Sequence, residues 1–233
     1  MANVRKDNKE KKEEGFVSVD TFFMKMEQWY ERNSKQINYI STAVLLLIVL
    51  CVYLGVFWMP KRQLKAEQAV FKAEQYFAQD SMRLALNGDG VYDGLLDVAS
   101  TYSCTKTGNR AKYEIGICYL QLGEYEKAIK YLKKFKGKDM LVSVQALGSI
   151  GDAYMELNNL DKALTYYKKA IKLHPNELLT PRYLYRAGIV CEMQSDWKSA
   201  AKFYETLQHT YPNSYEARDV EKRIAYVKAK QGK

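Results

Sequence analysis

Apolar and polar residues are distributed differently in residues 40–59 and in the rest of this chain. Residues 40–59, ISTAVLLLIVLCVYLGVFWM, form a continuous run without a charged residue, whereas the remainder is a mixture with apolar positions three or four residues apart. A helix of that length matches the roughly 30 Å hydrocarbon core of a bilayer. The pattern predicts a transmembrane helix over residues 36–60, with Tyr39 and Trp58 at the membrane interfaces and Pro60 ending the helix.

The anchor is favoured over a cleaved signal peptide because 39 residues precede the apolar run and a charged segment closes it. Its orientation does not follow from charge, since basic residues flank both sides: Lys25, Arg32 and Lys35 before it, and Lys61, Arg62, Lys65 and Lys72 after it. A short tail followed by one anchor and a long folded domain usually leaves the tail in the cytoplasm. We therefore expect a single-pass protein with a cytoplasmic N-terminus.

Residues 1–35 form the predicted cytoplasmic tail. Its first 15 residues are charge-dense and nearly free of apolar residues, which predicts disorder. An amphipathic helix is predicted over residues 18–33, with an apolar face spaced i, i+4, i+7 and i+8: Phe22, Met26, Trp29 and Tyr30. This face either docks on a membrane partner or only steadies the anchor.

A repeated pattern fills the C-terminal half. The stretch GDAYMELNNLDKALTYYKKAIKLHP, residues 151–175, has the glycine, tyrosine, alanine and proline spacing of the tetratricopeptide repeat, two antiparallel helices in about 34 residues. The pattern recurs upstream from Gly116 and downstream from Gly188. The sequence thus predicts an all-α fold in which a single transmembrane helix precedes a tetratricopeptide-repeat α-solenoid, with three repeats over residues 108–212.

The residue types in the pattern have physical reasons. Small residues at Gly151 and Ala163 let the two helices of a pair approach, while Tyr154 and Tyr167 are expected to fill the gaps between pairs. Because one pair cannot bury its apolar face alone, atypical units are needed at both ends. We expect an N-terminal helical pair over residues 61–107 and a C-terminal capping helix within residues 213–233.

The first helix of each repeat is expected to line a protein-binding groove. Its predicted wall mixes apolar, aromatic and charged residues: Arg110, Tyr113, Ile117, Gln145, Asp152, Met155, Arg182, Tyr185 and Ile189. Such a wall suits an extended peptide or a partner helix, with aromatic anchors and arginines for carboxylates or carbonyls. The alternative is that several of these residues only pack against a neighbouring repeat. A lysine and asparagine clamp for chaperone tails is not expected, because Tyr113 and Ile117 occupy those positions.

The segment NGDGVYDG, residues 87–94, is rich in glycine and aspartate. It fails the calcium-loop pattern in both registers and lacks the lysine of a phosphate loop. We interpret it as a corner, with Asp93 capping the next helix. The four cysteines show no metal-binding spacing, and neither histidine has a catalytic partner in sequence. No metal, cofactor, small-molecule substrate or enzymatic activity is expected.

Composition adds a net charge of +9, from 36 basic and 27 acidic residues. This balance suits anionic lipid, nucleic acid or an acidic protein and selects none of them. The lysines between residues 127 and 138 are best explained as the solvated face of a helix, so a nucleic-acid partner is not expected.

One stretch carries a family resemblance: ALNGDGVYDGLLDVASTYSCTKTGNRAKYEIGICYLQLGEYEKAI, residues 85–129. With the anchor before it and two repeats after it, the chain resembles the YfgM-like membrane-anchored tetratricopeptide proteins of the type common in Bacteroidetes. The resemblance implies an ancillary subunit of the Sec translocon in the bacterial inner membrane, with periplasmic repeats near channel subunits, emerging chains and chaperones. It does not extend to the aromatic tail helix.

Two other functions remain open from the residues. One is a structural scaffold for outer-membrane or cell-wall assembly, and the other is an anchored receptor that faces the cytosol. An enzyme is the weakest interpretation, because no paired acids in a known motif, nucleophile elbow or metal cluster occurs.

Overall fold

The structure, a computed structural model, describes the backbone of residues 2–232 and the side chains of residues 21–232. Helices connected by short turns make up this part of the chain, and no strand occurs within it. The chain divides into two compact units, Met1–Pro60 and Lys61–Lys233.

The first unit is helical throughout its described residues. Helix α1 runs over Ala2–Tyr53 and is followed by a π-helical turn, Leu54–Trp58. Residues 18–33, where the sequence predicts an amphipathic helix, are helical as part of this longer helix. The start of the tail, where the sequence predicts disorder, belongs to the same helix. Lysine and glutamate, which dominate the start of the tail, are good helix formers, and this favours a continuous helix.

The apolar run lies within this helical region with its side chains exposed; Leu45 and Leu47, for example, are each 61% exposed. Among the residues with described side chains, one helix, Thr21–Ala78, is long and apolar enough to cross a membrane, by length and composition. The helix does not end at Pro60, because α2 spans Met59–Ala78. In an α-helix a proline ring clashes with the carbonyl group four residues earlier, which for Pro60 is that of Val56. Val56 lies in the π-helical turn, whose wider backbone accommodates the ring.

The second unit begins with α2 and two short helices, α3 (Met82–Asn87) and α4 (Leu95–Thr101). Residues 61–107 therefore contain three helices where the sequence predicted a pair. The additional break lies between α2 and α3, at Asp80, which has a positive φ of 55°. That conformation is incompatible with a continuing right-handed helix.

The glycine-rich segment forms the predicted corner between α3 and α4. Gly88 and Gly90 have φ values of 74° and 89°, which favour glycine. The carboxylate of Asp89 accepts hydrogen bonds from the backbone N–H groups of Val91 and Tyr92 (2.9 and 2.8 Å) and from the Tyr76 hydroxyl (2.7 Å). Asp93 does not cap α4, because Gly94 occupies that position without a side-chain bond.

Three antiparallel pairs follow and confirm the predicted solenoid. Their first helices are α5 (Lys106–Gln121), α7 (Met140–Glu156) and α9 (Thr180–Met193). Their second helices are α6 (Tyr125–Lys134), α8 (Leu160–Leu173) and α10 (Trp197–Thr210). Helix α11 (Val220–Gln231) buries Val220, Ile224 and Val227 in a core cluster shared with α10.

Each pair is closed by a large side chain seated on a glycine. Gly116 faces Leu132, Gly151 faces Tyr167, and Gly188 faces Tyr204. A Cβ added to these glycines would lie 2.5, 2.6 and 2.3 Å, respectively, from the nearest atom of the facing side chain. Tyr167 thus fills the space within its own pair, not only between pairs as the sequence predicted. Its ring also stacks on Tyr183 of the next pair, with 6.0 Å between ring centroids. One fully buried tyrosine therefore contributes to both interfaces.

Candidate protein-binding face

The nine residues predicted to line a groove all lie on first helices, and the structure leaves each of them exposed or half-buried. On each helix they recur at intervals of three to seven residues, which places them on one side of that helix. We call this surface the first-helix face: Arg110, Tyr113 and Ile117 on α5; Gln145, Asp152 and Met155 on α7; Arg182, Tyr185 and Ile189 on α9.

The apolar and aromatic members are partly structural. Tyr113, Ile117 and Met155 pack against the central core cluster. The Tyr113 ring lies on that of Phe135, with centroids 5.5 Å apart, and the Tyr185 ring lies 5.8 Å from that of Tyr204. These side chains keep exposed surface while their rings are held in place, which is the arrangement of an aromatic anchor.

Both predicted arginines already have acidic partners within the chain. Arg110 forms an ion pair with Glu74 of α2 and lies 3.5 Å from Glu114, while Arg182 lies 3.9 Å from Glu216. The side chains of the two arginines are 51% and 48% exposed. The Glu74 side chain is 33% exposed, so its ion pair with Arg110 contributes little to stability and an external carboxylate can replace Glu74 at small cost. The carboxyl groups of Glu114 and Glu216 are mostly buried, with side chains 11% and 18% exposed. The sequence pattern did not reveal these acidic partners of the two arginines.

Asp152 has a different environment, because its carboxylate is mostly buried. It accepts hydrogen bonds from the Tyr167 hydroxyl (2.6 Å) and from Arg186. Burial raises the pKa of Asp152 above its ordinary value, although Arg186 opposes that shift. Asp152 therefore holds helices together more than it offers a charge to a ligand.

A series of acid and arginine pairs links successive helices on this side of the solenoid. The acid precedes the arginine by about one repeat in each case, in the pairs Glu74 with Arg110, Asp152 with Arg186, and Glu192 with Arg223, which are 36, 34 and 31 residues apart. The sequence analysis missed Glu74, Arg186, Glu192 and Arg223. The signal in the sequence would have been an acid followed by an arginine about one repeat later.

Glu114 is a fifth residue that was not identified from the sequence. It is only 8% exposed, and its Oε2 atom has no hydrogen-bond partner in the described part of the chain. Burial and the neighbouring Glu74 raise the pKa of Glu114 to about 7, although Arg110 opposes the shift. This carboxyl group is therefore poised to titrate near neutral pH.

The remaining candidates are located as follows. Phe22, Met26, Trp29 and Tyr30 on α1 are all at least half exposed. Cys118 and Cys191 are buried, and burial raises the pKa of their thiols to about 12 and about 11, whereas Cys104 is exposed. Among residues 21–232, no group of three or more His, Cys, Asp and Glu side chains is placed to hold a metal ion.

Comparison with known proteins agrees with the repeat architecture. Family models of the tetratricopeptide repeat match residues 110–136, 144–177 and 182–214. No curated protein sequence matches the chain significantly. The chain contains three tetratricopeptide repeats, and such repeats indicate a protein-protein interaction module of a kind that is typically non-catalytic.

Two solved structures share the fold. The crystal structure of MamA protein has a TM-score of 0.57 and 18% identity, and the match covers 75% of this chain and 85% of that one. A Podosopora anserina protein assigned as a kinesin light chain, with nearly identical TPR-like repeats, has a TM-score of 0.55 and 12% identity, over 72% and 87% of the two chains. At these identities the likeness concerns the fold alone.

Proposed function

We propose that this chain is a membrane-anchored protein-binding module, with a cytoplasmic N-terminus and a periplasmic repeat domain in the bacterial inner membrane. The observation that carries the proposal is the combination of an exposed apolar helix of membrane-spanning length with a repeat solenoid that presents the first-helix face. An apolar helix with every side chain of its central run exposed requires an apolar environment.

The proposed place of action is the exit of the Sec translocon, where the protein is an ancillary subunit that assists secreted or membrane protein biogenesis. The support for this assignment is the resemblance to the YfgM-like proteins, carried by the GDG corner and the GNRAKYEIGICYL stretch. The proposed partners are channel subunits, emerging chains and periplasmic chaperones.

The mechanism that we propose is tethering of a weak site. The first-helix face offers half-buried aromatic anchors and an exchangeable ion pair between Arg110 and Glu74. A ligand carboxylate that displaces Glu74 from Arg110 gains one ion pair and breaks another, so its net contribution is small. Modest affinity is sufficient because an anchored site has a high effective concentration beside the channel.

The experiment that tests this function is purification of the tagged full-length protein from native membranes in mild detergent, beside a form that lacks residues 1–60. Recovery of translocon core subunits with the full-length form alone supports the ancillary-subunit role. Recovery of outer-membrane or cell-wall assembly proteins with both forms, and no channel subunit, contradicts it and supports a scaffold. A Tyr185→Ala variant tests whether the first-helix face holds the soluble partners, and it should release them while the channel stays bound.

Topology is tested with a membrane-impermeant thiol reagent. In a Cys51→Ser variant, Cys104 is the exposed thiol outside the apolar run, while the buried Cys118 and Cys191 have raised pKa values and react slowly. Labelling in intact spheroplasts supports a periplasmic repeat domain. Labelling that requires permeabilised membranes places the domain in the cytosol and favours an anchored receptor instead.

A further inference from the structure

A pocket lies between two second helices, away from the first-helix face. Helices α8 and α10, with one residue of α9, enclose a cavity of about 460 Å³. We call it the second-helix pocket, and its main lining residues are Ile171, Leu184, Phe203, Lys168, Lys172 and Lys202. None of these residues belongs to the first-helix face.

The floor of the pocket is apolar. Leu184 is 3% exposed, and Ile171 and Phe203 are partly buried members of the neighbouring core clusters. A concave apolar floor of this volume is in the size range of ligand sites and can hold one or two bulky side chains. Because the floor is formed by side chains anchored in the core, it does not require rearrangement to be occupied.

The rim of the pocket is basic. Lys168, Lys172 and Lys202 are all exposed, and none forms an ion pair within the described part of the chain. Lys168 lies over the Phe203 ring, 5.8 Å from its centroid. Three ammonium groups around an apolar floor create a positive potential that only an acidic ligand would complement.

Of the three rim lysines, Lys168 interacts electrostatically with one nearby acid, Asp196, whereas Lys172 and Lys202 have no ion-pair partner in the described part of the chain. Glu205 on α10 pairs with Lys228 of α11 at 2.7 Å, and Asp196 accepts the backbone N–H of Ser199 as the N-cap of α10. Lys168 contributes to a lowered pKa of Asp196, behind the hydrogen bonds from Ser199. The acids of this region are thus engaged elsewhere, while Lys172 and Lys202 remain available for a ligand.

We propose that the second-helix pocket binds an acidic peptide segment of a partner protein, with a bulky apolar side chain on the floor and flanking carboxylates at the three lysines. A peptide is favoured over an anionic membrane surface because the apolar part of the site is recessed between two helices. A side chain can enter such a recess, whereas a bilayer surface contacts protruding groups. This site is separate from the first-helix face and does not depend on the proposed role at the translocon.

The test uses the full-length protein in neutral detergent and a fluorescein-labelled peptide of glutamates and aspartates around a Phe-Leu pair, with binding followed by fluorescence anisotropy. Two further peptides serve as controls, one with Ser-Ser in place of Phe-Leu and one with lysines in place of the acids. We expect saturable binding of the first peptide that weakens with salt, and at least about fivefold weaker binding of both control peptides.

Two double variants locate the site, and both change the net charge by the same amount. Lys172→Glu with Lys202→Glu reverses the rim, whereas Lys130→Glu with Lys198→Glu reverses exposed lysines of second helices outside the pocket. The rim variant should raise the dissociation constant about tenfold, and the control variant should raise it less than about twofold. All four positions are exposed, so neither variant should disturb folding; equal thermal unfolding midpoints would verify this.

Several results would overturn the proposal. Absence of saturable binding, equal losses in the two double variants, or equal affinity for the Ser-Ser peptide would each show that the pocket does not recognise this ligand. The protein could instead bind vesicles that contain phosphatidylserine. If that binding is lost in the Lys172 and Lys202 variant and no peptide binds, the occupant is a lipid surface.

Discussion

The carboxylate of Asp152 accepts hydrogen bonds from two helices at once, from the Tyr167 hydroxyl of α8 and from the Arg186 guanidinium of α9. It therefore joins α7 to α8 of its own repeat and to α9 of the next repeat. A mostly buried carboxylate with these two donors is satisfied only when all three helices are in register. The contact thus couples neighbouring repeats beneath the first-helix face.

This arrangement makes Asp152 important for stability. We expect Asp152→Ala to lower the free energy of unfolding of residues 61–233 by about 2 kcal/mol, because it leaves the Tyr167 hydroxyl and the Arg186 guanidinium without their partner. Urea unfolding measures the change. Adding Arg186→Met should recover part of the loss, since it removes the unpaired charge. Strictly additive losses in the double variant would contradict the coupling.

A second prediction concerns the close contact of Gly148 with Tyr183. A Cβ at Gly148 would lie 1.9 Å from the Tyr183 ring, which is itself 2% exposed and stacked on Tyr167. Gly148→Ala should therefore destabilise residues 61–233 by about 2 kcal/mol, although alanine is the better helix former. Gly232→Ala, where nothing lies within 4 Å, is the matched control and should change stability by less than about 0.5 kcal/mol. A stabilised Gly148→Ala variant would show that the ring can move.

The buried carboxyl group of Glu114 predicts a dependence of stability on pH. Its pKa is raised from the ordinary value of 4.5 to about 7, so between these pH values the folded protein holds a proton that the unfolded chain has lost. Stability should therefore fall as pH rises through this window, by up to about 3 kcal/mol, and level off above it.

The Glu114 prediction is tested by urea unfolding of residues 61–233 at several pH values across this window. Glu114→Gln, which cannot ionise, should remove most of the decline. Backbone hydrogen bonds lower the pKa of the exposed Asp139, so this residue is ionised in both the folded and the unfolded chain throughout the window. Asp139 therefore does not make the free energy of unfolding fall there. An unchanged decline in the Glu114→Gln variant would assign it to other groups.

The proposed tail contact predicts a face-specific effect on partner recovery. Phe22→Ser with Trp29→Ser removes two residues of the apolar face, whereas Met24→Ser with Gln28→Ser changes two exposed residues on the opposite side of α1. If the face docks on the translocon, the first variant should lower recovery of channel subunits at least about fivefold, because buried tryptophans dominate interface energies. The second should leave recovery nearly unchanged. Equal recovery with both would limit the face to steadying the anchor.

The sequence by itself determined the architecture of repeats and the apolar helix. Gly116, Gly151 and Gly188 recur with the large side chains that seat on them, and this periodicity reflects contacts within a single helical pair. The run from residue 40 to residue 59 likewise carries its own signal, because helix length and the absence of charge are local properties. Patterns of this kind are visible without knowledge of what lies across an interface.

Only the tertiary structure decided which side chains are engaged. Arg110 and Arg182 have no evident partner in sequence, but Glu74 of α2 and Glu216 of the segment before α11 already pair with them. The second-helix pocket also depends on the packing of α8, α9 and α10, since its floor and rim come from three helices. The ion-pair partner of such a residue lies about one repeat away in the chain. The packing of the helices sets the distance between the two side chains, and a local sequence pattern does not show it.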